Sequence, residues 1–223
     1  MVLILLSPYQ GLSLIDQKAK EEYFTNLEIL ENQIKNCDIM FLLTDSRESI
    51  WYPTVIVNTC NKLVITAAIG FDSYLVIHLG NNQNKLGCYF CTDINKPGDT
   101  SGNRTLNQQC TIYRPVASMI CSGLATELSM SCYNSALNNG EKDEDIPHQL
   151  RCNLLNYEIQ HFYFKYDTTC VACSDNIVQN YLEYREDFAV NVMNDQYYIE
   201  KTCGFHELIK DLKIEDESDQ DDF

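Results

Sequence analysis

Four thiols in this chain are spaced as metal ligands. Cys88-Tyr89-Phe90-Cys91 and Cys170-Val171-Ala172-Cys173 are two C-x-x-C turns. Each presents two sulfurs to one ion, so together they supply the four thiolates of a closed structural zinc site. The stretch between the turns is far longer than in a compact zinc ribbon. Two other readings of the same residues therefore stand beside the first: separate buried cysteine pairs, or a redox dithiol in either turn. Asp45 is a second candidate, in Thr44-Asp45-Ser46-Arg47-Glu48-Ser49 at the end of an apolar run. In parallel α/β sheets ligands sit beyond the carboxyl ends of the strands, and a carboxylate there is suited to hold Mg²⁺ beside phosphates. Capping the helix that follows is its equal alternative. Cys110 is the third, in Gln108-Gln109-Cys110-Thr111-Ile112-Tyr113-Arg114-Pro115. A helix N-terminus and the Arg114 guanidinium would lower its pKa and favour a nucleophilic thiolate, the alternative being a structural thiol. The other six cysteines lie in apolar or helical stretches, where a thiol is normally an inert core residue.

These groups need elements to place them. Asp16 is positioned to cap a helix whose Ala19, Tyr23, Phe24, Leu27, Leu30 and Ile34 recur at helical spacing up to Asn36. Residues 38–44 read as a strand buried on both faces. A second helix is expected from Pro53 to about Asn61, then strands over 62–68 and 74–79. Strand, helix and strand at these lengths predict a parallel α/β sheet with right-handed crossovers. After a polar stretch over 81–109, a helix restarts at Pro115 and runs to about Asn138. Residues 139–145 are a charged surface loop, and 157–164 alternate as an antiparallel strand. Ser174 caps a last helix with Val178, Tyr181, Leu182, Phe188, Ala189 and Val192 on its apolar face. Residues 215–223 carry six carboxylates in nine positions and cannot pack.

Composition narrows the class. The 223 residues are 45% hydrophobic with 9 Gly and 5 Pro, which excludes collagen-like, low-complexity and wholly disordered chains. Sixteen basic against 32 acidic residues give a net charge of −16, which disfavours nucleic acid and favours a basic protein partner. Eleven cysteines, an odd number, without a signal-like N-terminus indicate reduced thiols in an intracellular protein. No window reaches the roughly 20 apolar residues of a membrane span. Neither G-x-G-x-x-G nor G-x-x-x-x-G-K occurs, so the phosphate-holding turn of a nucleotide-binding α/β domain is absent from these residues.

Six segments, in order, carry a resemblance. They are residues 41–49, Ala67-Ala68-Ile69-Gly70-Phe71-Asp72-Ser73-Tyr74-Leu75-Val76, Leu86-Gly87-Cys88-Tyr89-Phe90-Cys91, Cys110-Thr111-Ile112-Tyr113-Arg114-Pro115, Asp145-Ile146-Pro147-His148-Gln149 and Cys170-Val171-Ala172-Cys173-Ser174. Through them the chain resembles the ubiquitin-like modifier-activating enzymes of autophagy, the autophagy-related protein seven family, a divergent branch of the ubiquitin-activating class.

The resemblance implies an α/β fold: an incomplete Rossmann-like adenylation domain of the ThiF type, with a parallel sheet, a zinc-stapled insertion and an acidic C-terminal tail. Residues 1–15 are then a non-family or truncated N-terminus. Residues 16–205 are the C-terminal portion of the adenylation domain, and 206–223 an acidic tail, disordered when free. By the same resemblance Cys110 is the catalytic cysteine that accepts the modifier as a thioester. Cys88, Cys91, Cys170 and Cys173 are the Zn²⁺ ligands, Asp45 handles ATP with Mg²⁺, and the tail docks the modifier. Implied partners are two ubiquitin-like modifiers (autophagy-related proteins eight and twelve), two conjugating enzymes (three and ten), and a second copy in a homodimer. Neither nucleic acid nor membrane insertion is expected. The expected location is cytoplasmic, with recruitment to the pre-autophagosomal structure. Two departures stand out: Ile50 replaces a family arginine, removing a charged contact to phosphate or carboxylate, and Val116 replaces a glycine. The missing N-terminal domain and glycine-rich loop read as a natural short form or an incomplete gene model.

Overall fold

The computed structural model describes residues 17–44, 46–80, 86–92, 114–137, 146–195 and 197–207. Asp16, Asp45, Cys110 and all but two residues of the acidic tail lie outside the described residues. Helix α1 spans Gln17–Asn36 and strand β1 Ile39–Leu42; α2 spans Arg47–Cys60 and β2 Leu63–Ile69. Then come β3 (Ser73–His78), α3 (Pro115–Leu137), β4 (Gln149–Asn153), β5 (Glu158–Phe162), α4 (Asp175–Asn194) and α5 (Tyr198–Cys203).

The five strands form one sheet in the order β1-β2-β3-β4-β5. β1 and β2 are parallel, with Met40 opposite Val64, joined by α2. All other pairs are antiparallel, so the expected parallel sheet is realised in the β1–β2 pair and the whole is a mixed α/β sheet. Loop length explains the reversal. Only Gly70, Phe71 and Asp72 separate β2 from β3, whereas a parallel return needs a dozen or more residues. The Gly70 N–H closes this turn on the Ser73 carbonyl at 2.8 Å. β1 is also less enclosed than its sequence implied: Phe41 within it and Leu43 just after it are 44% and 60% exposed, and among the described residues β1 has a strand on one side only.

Alternation along the strands divides the core. Val64 and Ile77 point into a large apolar cluster with α1, α2, α4, α5 and both cysteine turns. Ile65, Tyr74, Val76, Leu150 and Cys152 point the other way, onto Ala117, Cys121, Ala125 and Leu128 of α3. Helices thus cover both faces of the sheet. Tyr23, Leu27 and Ile34 of α1 are buried as their spacing predicts. Ile50 is buried in the larger cluster.

Helix starts follow their caps, with one correction. α2 begins six residues before Pro53, because Ser46 is its N-cap and accepts the Ser49 N–H at 3.2 Å. Pro53 lies inside the helix. Ser174 caps α4 as expected, its hydroxyl accepting from Ile177. Within α4 the backbone breaks at Arg185, whose φ of 30° is left-handed. Ile177, Val178 and Tyr181 before the break and Phe188, Ala189 and Val192 after it all face the core, while Leu182 is exposed. Strand β4 and the short α5 carry too little periodicity to be seen in sequence. Among the described residues, no helix is long and apolar enough to cross a membrane.

Candidate metal centre

The first cysteine turn hangs from the end of β3. Gly80 donates to the Gly87 carbonyl at 3.2 Å, and Gly87 donates to the Phe164 carbonyl at 3.1 Å. The approach is too close for a side chain. A Cβ on Gly80 would lie 1.7 Å from the Leu86 carbonyl oxygen, and one on Gly87 would lie 2.4 Å from the Phe164 ring. Residues Tyr89–Thr92 then wind a 3₁₀ turn, and the Cys91 N–H bonds the Cys88 carbonyl at 3.2 Å. The second turn is built by Asp167, whose carboxylate accepts from both the N–H and hydroxyl of Thr169 at 2.8 Å. Its carbonyl accepts from the Cys170 N–H at 3.1 Å. The chain passes at once into the Ser174 cap of α4.

These two turns, 82 residues apart in sequence, meet. Cys88 Sγ is 3.6 Å from Cys170 Sγ, Cys91 Sγ is 3.4 Å from Cys173 Sγ, and Cys88 and Cys91 are 3.9 Å apart. All four sulfurs lie within 4.8 Å of one another, and three of the four residues are buried. The donor set fits zinc: four sulfurs at about 2.3 Å from a tetrahedral ion are about 3.8 Å from each other. The four candidate ligands are therefore brought together in one cluster that can hold a metal ion.

Backbone N–H groups point at the sulfurs as well, from Asp167 onto Cys91 and from Ala172 onto Cys170, each at 3.4 Å. Hydrogen bonds from the Cys170, Cys173 and Cys88 thiols hold the Cys91 thiol far below the ordinary cysteine range. Burial pushes Cys88 well above it. A thiolate within a nest of thiols is a state that a cation completes, displacing the remaining protons. No disulfide joins any described cysteine.

Two residues outside the cluster hold its backbone. His148 is fully buried, with Nε2 2.9 Å from the Gly87 carbonyl oxygen and Nδ1 3.5 Å from the Phe164 nitrogen. A carbonyl only accepts and an amide N–H only donates, so the proton sits on Nε2 and the ring is neutral. Burial pushes its pKa down, in keeping with that state. The ring also lies 4.2 Å from that of Phe164 and 5.1 Å from that of His78, centroid to centroid. Trp51, fully buried on α2, donates its indole N–H to the Val171 carbonyl at 2.8 Å. Sequence reading gave neither a role. Each partner is 61 or 120 residues away, beyond the reach of any local pattern.

The other two assigned residues, Cys110 and Asp45, lie outside the described residues. Their surroundings bear on them indirectly. Capping of α2 belongs to Ser46, so Asp45 is not that helix's N-cap. Arg114 pairs with Asp72 at 2.9 Å, so its charge is shared with the β2–β3 turn instead of standing wholly free for Cys110. Burial pushes the thiols of Cys121 and Cys203 up to about 11, which suits them to the core and not to nucleophilic chemistry.

A profile of the ThiF family matches residues 12–174. The ubiquitin-like modifier-activating enzyme atg7 of Dictyostelium discoideum is 38% identical over 226 residues, covering 87% of this chain and 32% of that protein. The enzyme of the same name from Saccharomyces cerevisiae is 37% identical over 212 residues, covering 92% and 33%. That from Komagataella pastoris is 36% identical over 234 residues, covering 96% and 35%. The chain spans about a third of the length of these relatives. Among solved structures, Escherichia coli MccB with AMPCPP and MccA superposes with a TM-score of 0.46 at 13% identity, over 74% of this chain and 45% of that one. A likeness so distant carries no weight here.

Proposed function

Because the chain belongs to the ThiF family, we propose that it is the C-terminal part of a ubiquitin-like modifier-activating enzyme of autophagy. The observation that carries this reading is similarity to enzymes of that name along about nine-tenths of the chain, with the six motif segments in the family's order. In this reading ATP converts the C-terminal carboxylate of the modifier into an acyl adenylate. The Cys110 thiolate then attacks the acyl carbon: a C–S bond forms, the C–O bond to AMP breaks, and AMP departs. The thioester keeps enough reactivity for transfer to the cysteine of a conjugating enzyme. Asp45, which follows β1 by three residues in sequence, is assigned to Mg²⁺, which when bound would neutralise the departing pyrophosphate. Zinc, when bound by Cys88, Cys91, Cys170 and Cys173, supplies a crosslink alone, because four thiolates leave no open position. Partners follow from the family: autophagy-related proteins eight and twelve as modifiers, three and ten as conjugating enzymes, and a second copy of the chain. Activity would be cytoplasmic, with recruitment to the pre-autophagosomal structure.

One observation favours a second reading for the chain as it stands. No glycine-rich phosphate loop occurs in the 223 residues, which suits a modifier-binding or dimerising module without its own adenylation activity. Pyrophosphate exchange separates the two. The zinc-loaded full chain is incubated with ATP and a ubiquitin-like modifier, and labelled pyrophosphate in ATP is counted. Exchange, together with a thiol-labile adduct lost in Cys110→Ser, is the result expected of an activating enzyme. A folded, zinc-loaded chain that shows neither, yet still binds the modifier, overturns the enzymatic reading for this polypeptide in favour of the binding module.

A further inference from the structure

The two cysteine turns are held by the same device in mirror fashion. Each turn offers one backbone carbonyl to a buried ring N–H that belongs to neither turn. In the first, the Gly87 carbonyl, next to Cys88, accepts from His148 Nε2 at 2.9 Å. In the second, the Val171 carbonyl, next to Cys170, accepts from Trp51 Nε1 at 2.8 Å. Both donors are fully buried, and each is braced by aromatic contacts. His148 lies against Phe164, and Trp51 stacks on Phe188 with an interplanar angle of 15° and packs edge-on to Tyr52. The donors come from different layers. His148 immediately precedes β4 and its carbonyl accepts from His78 of β3, whereas Trp51 is on α2, five residues after its Ser46 cap.

We propose that His148 and Trp51 are positioning residues for the metal centre, each latching one cysteine turn through its backbone. Together they set how tightly the ion is held, and Trp51 couples the ion to α2. The inference rests on reading the four cysteines as a metal site. Its physical basis is preorganisation. Two short turns far apart in sequence must present sulfurs within 4.8 Å of one another, and a carbonyl anchored beside the first cysteine of each turn removes the freedom that the ion would otherwise have to restrain. Groups that orient metal ligands without touching the ion change affinity by about 10- to 100-fold when removed.

The test uses the full chain loaded with Co²⁺, whose thiolate charge-transfer bands report a four-sulfur site, and follows metal release to a chelator. Both His148→Ala and Trp51→Phe are expected to release the ion at least about tenfold faster than wild type. His148→Gln, which can return an N–H to the Gly87 carbonyl, is expected to recover most of the loss. Trp51→Phe keeps a large ring in the core and removes the donor, so it stands if His148→Ala fails to fold. Leu128→Ala, on α3 in the other apolar cluster, is the control for general destabilisation and should release at the wild-type rate. Trp51 is the chain's single tryptophan, so stripping the metal from wild type should also shift its emission to the red. Equal release rates in wild type and both latch variants overturn the proposal while leaving the metal site intact. Equal acceleration in Leu128→Ala, or emission indifferent to the metal, does the same. A wild-type chain that takes up no Co²⁺ overturns the metal reading and the latches together.

Discussion

The two faces of the sheet are held by different means. On one, α1, α2, α4 and α5 pack around the four-cysteine cluster, and long-range polar ties cross the apolar core. Trp51 reaches Val171, and the buried Glu31 carboxylate of α1 accepts from Tyr181 and Arg185 on α4. On the other face α3 is, among the described residues, the one helix packed against the sheet, through the small and aliphatic Ala117, Cys121, Ala125 and Leu128. Its outer side exposes Val116, Met119, Ile120, Met130 and Leu137. The lesson is one of sequence distance. The first face collects segments from both ends of the chain and needs specific ties to close the loops between them, because loop closure is paid for in entropy before contacts form. The second is served by one long helix laid on the β2–β3 hairpin and on β4, held by apolar burial with the Arg114–Asp72 ion pair at its edge.

Metal removal should break this contrast most severely. Replacing Cys170 by Ser, or stripping the ion, is expected to abolish hydrogen-exchange protection in α4 and around the cysteine turns while β2–β4 and α3 stay protected. Binding free energies of structural zinc are on the order of 10 kcal/mol, more than enough to carry one half of so small a fold. Uniform loss of protection would show the faces to be one cooperative unit. Leu128→Ala probes the opposite side. It should cost about 3 kcal/mol in denaturant unfolding and leave metal stoichiometry unchanged.

Next in size is Glu31→Gln. Burial alone would raise the Glu31 pKa, but hydrogen bonds from Tyr181, Arg185 and Lys35 outweigh it and hold the carboxyl below its usual range. A depressed folded pKa contributes stability that is fully present above the unfolded value and disappears as pH falls through the folded one. The variant should therefore be about 2 kcal/mol less stable than wild type at neutral pH. The gap should close as the solution is acidified below the carboxylate range, and unfolding curves at several pH values measure it. The smallest effect is expected at Met119, 72% exposed on α3. Met119→Ser should change stability by no more than about 0.5 kcal/mol, and a larger loss would mean that this face is covered in solution.

How much was legible beforehand follows the same division. Helices α1 and α3 show in the sequence because their periodicity and end signals are local. The four cysteines show because C-x-x-C is itself a local pattern. The direction of β3 was also written there, in the three residues that separate it from β2, but the alternation of helix-like and strand-like runs suggested parallel pairing and hid it. The earlier start of α2 was masked by Pro53, whose preference for a first turn is weaker than the Ser46 cap. β4, with the buried His148 just before it, has too few alternating residues to be distinguished from a loop.

By itself, then, the order of amino acids determined the α/β class, the family motifs and four cysteines as candidate sulfur donors, since all of these depend on residue types at short spacing. Only the folded chain decided that the two cysteine turns converge, that Ser46 and not Asp45 caps α2, and that a histidine and a tryptophan hold the carbonyls beside the ligands. The cap is a contact over three residues, where two adjacent polar side chains compete and only the backbone path chooses between them. The convergence of the turns and the two carbonyl ties depend instead on contacts between residues 61 to 120 positions apart, selected by packing of the whole molecule with no imprint on any local window of sequence.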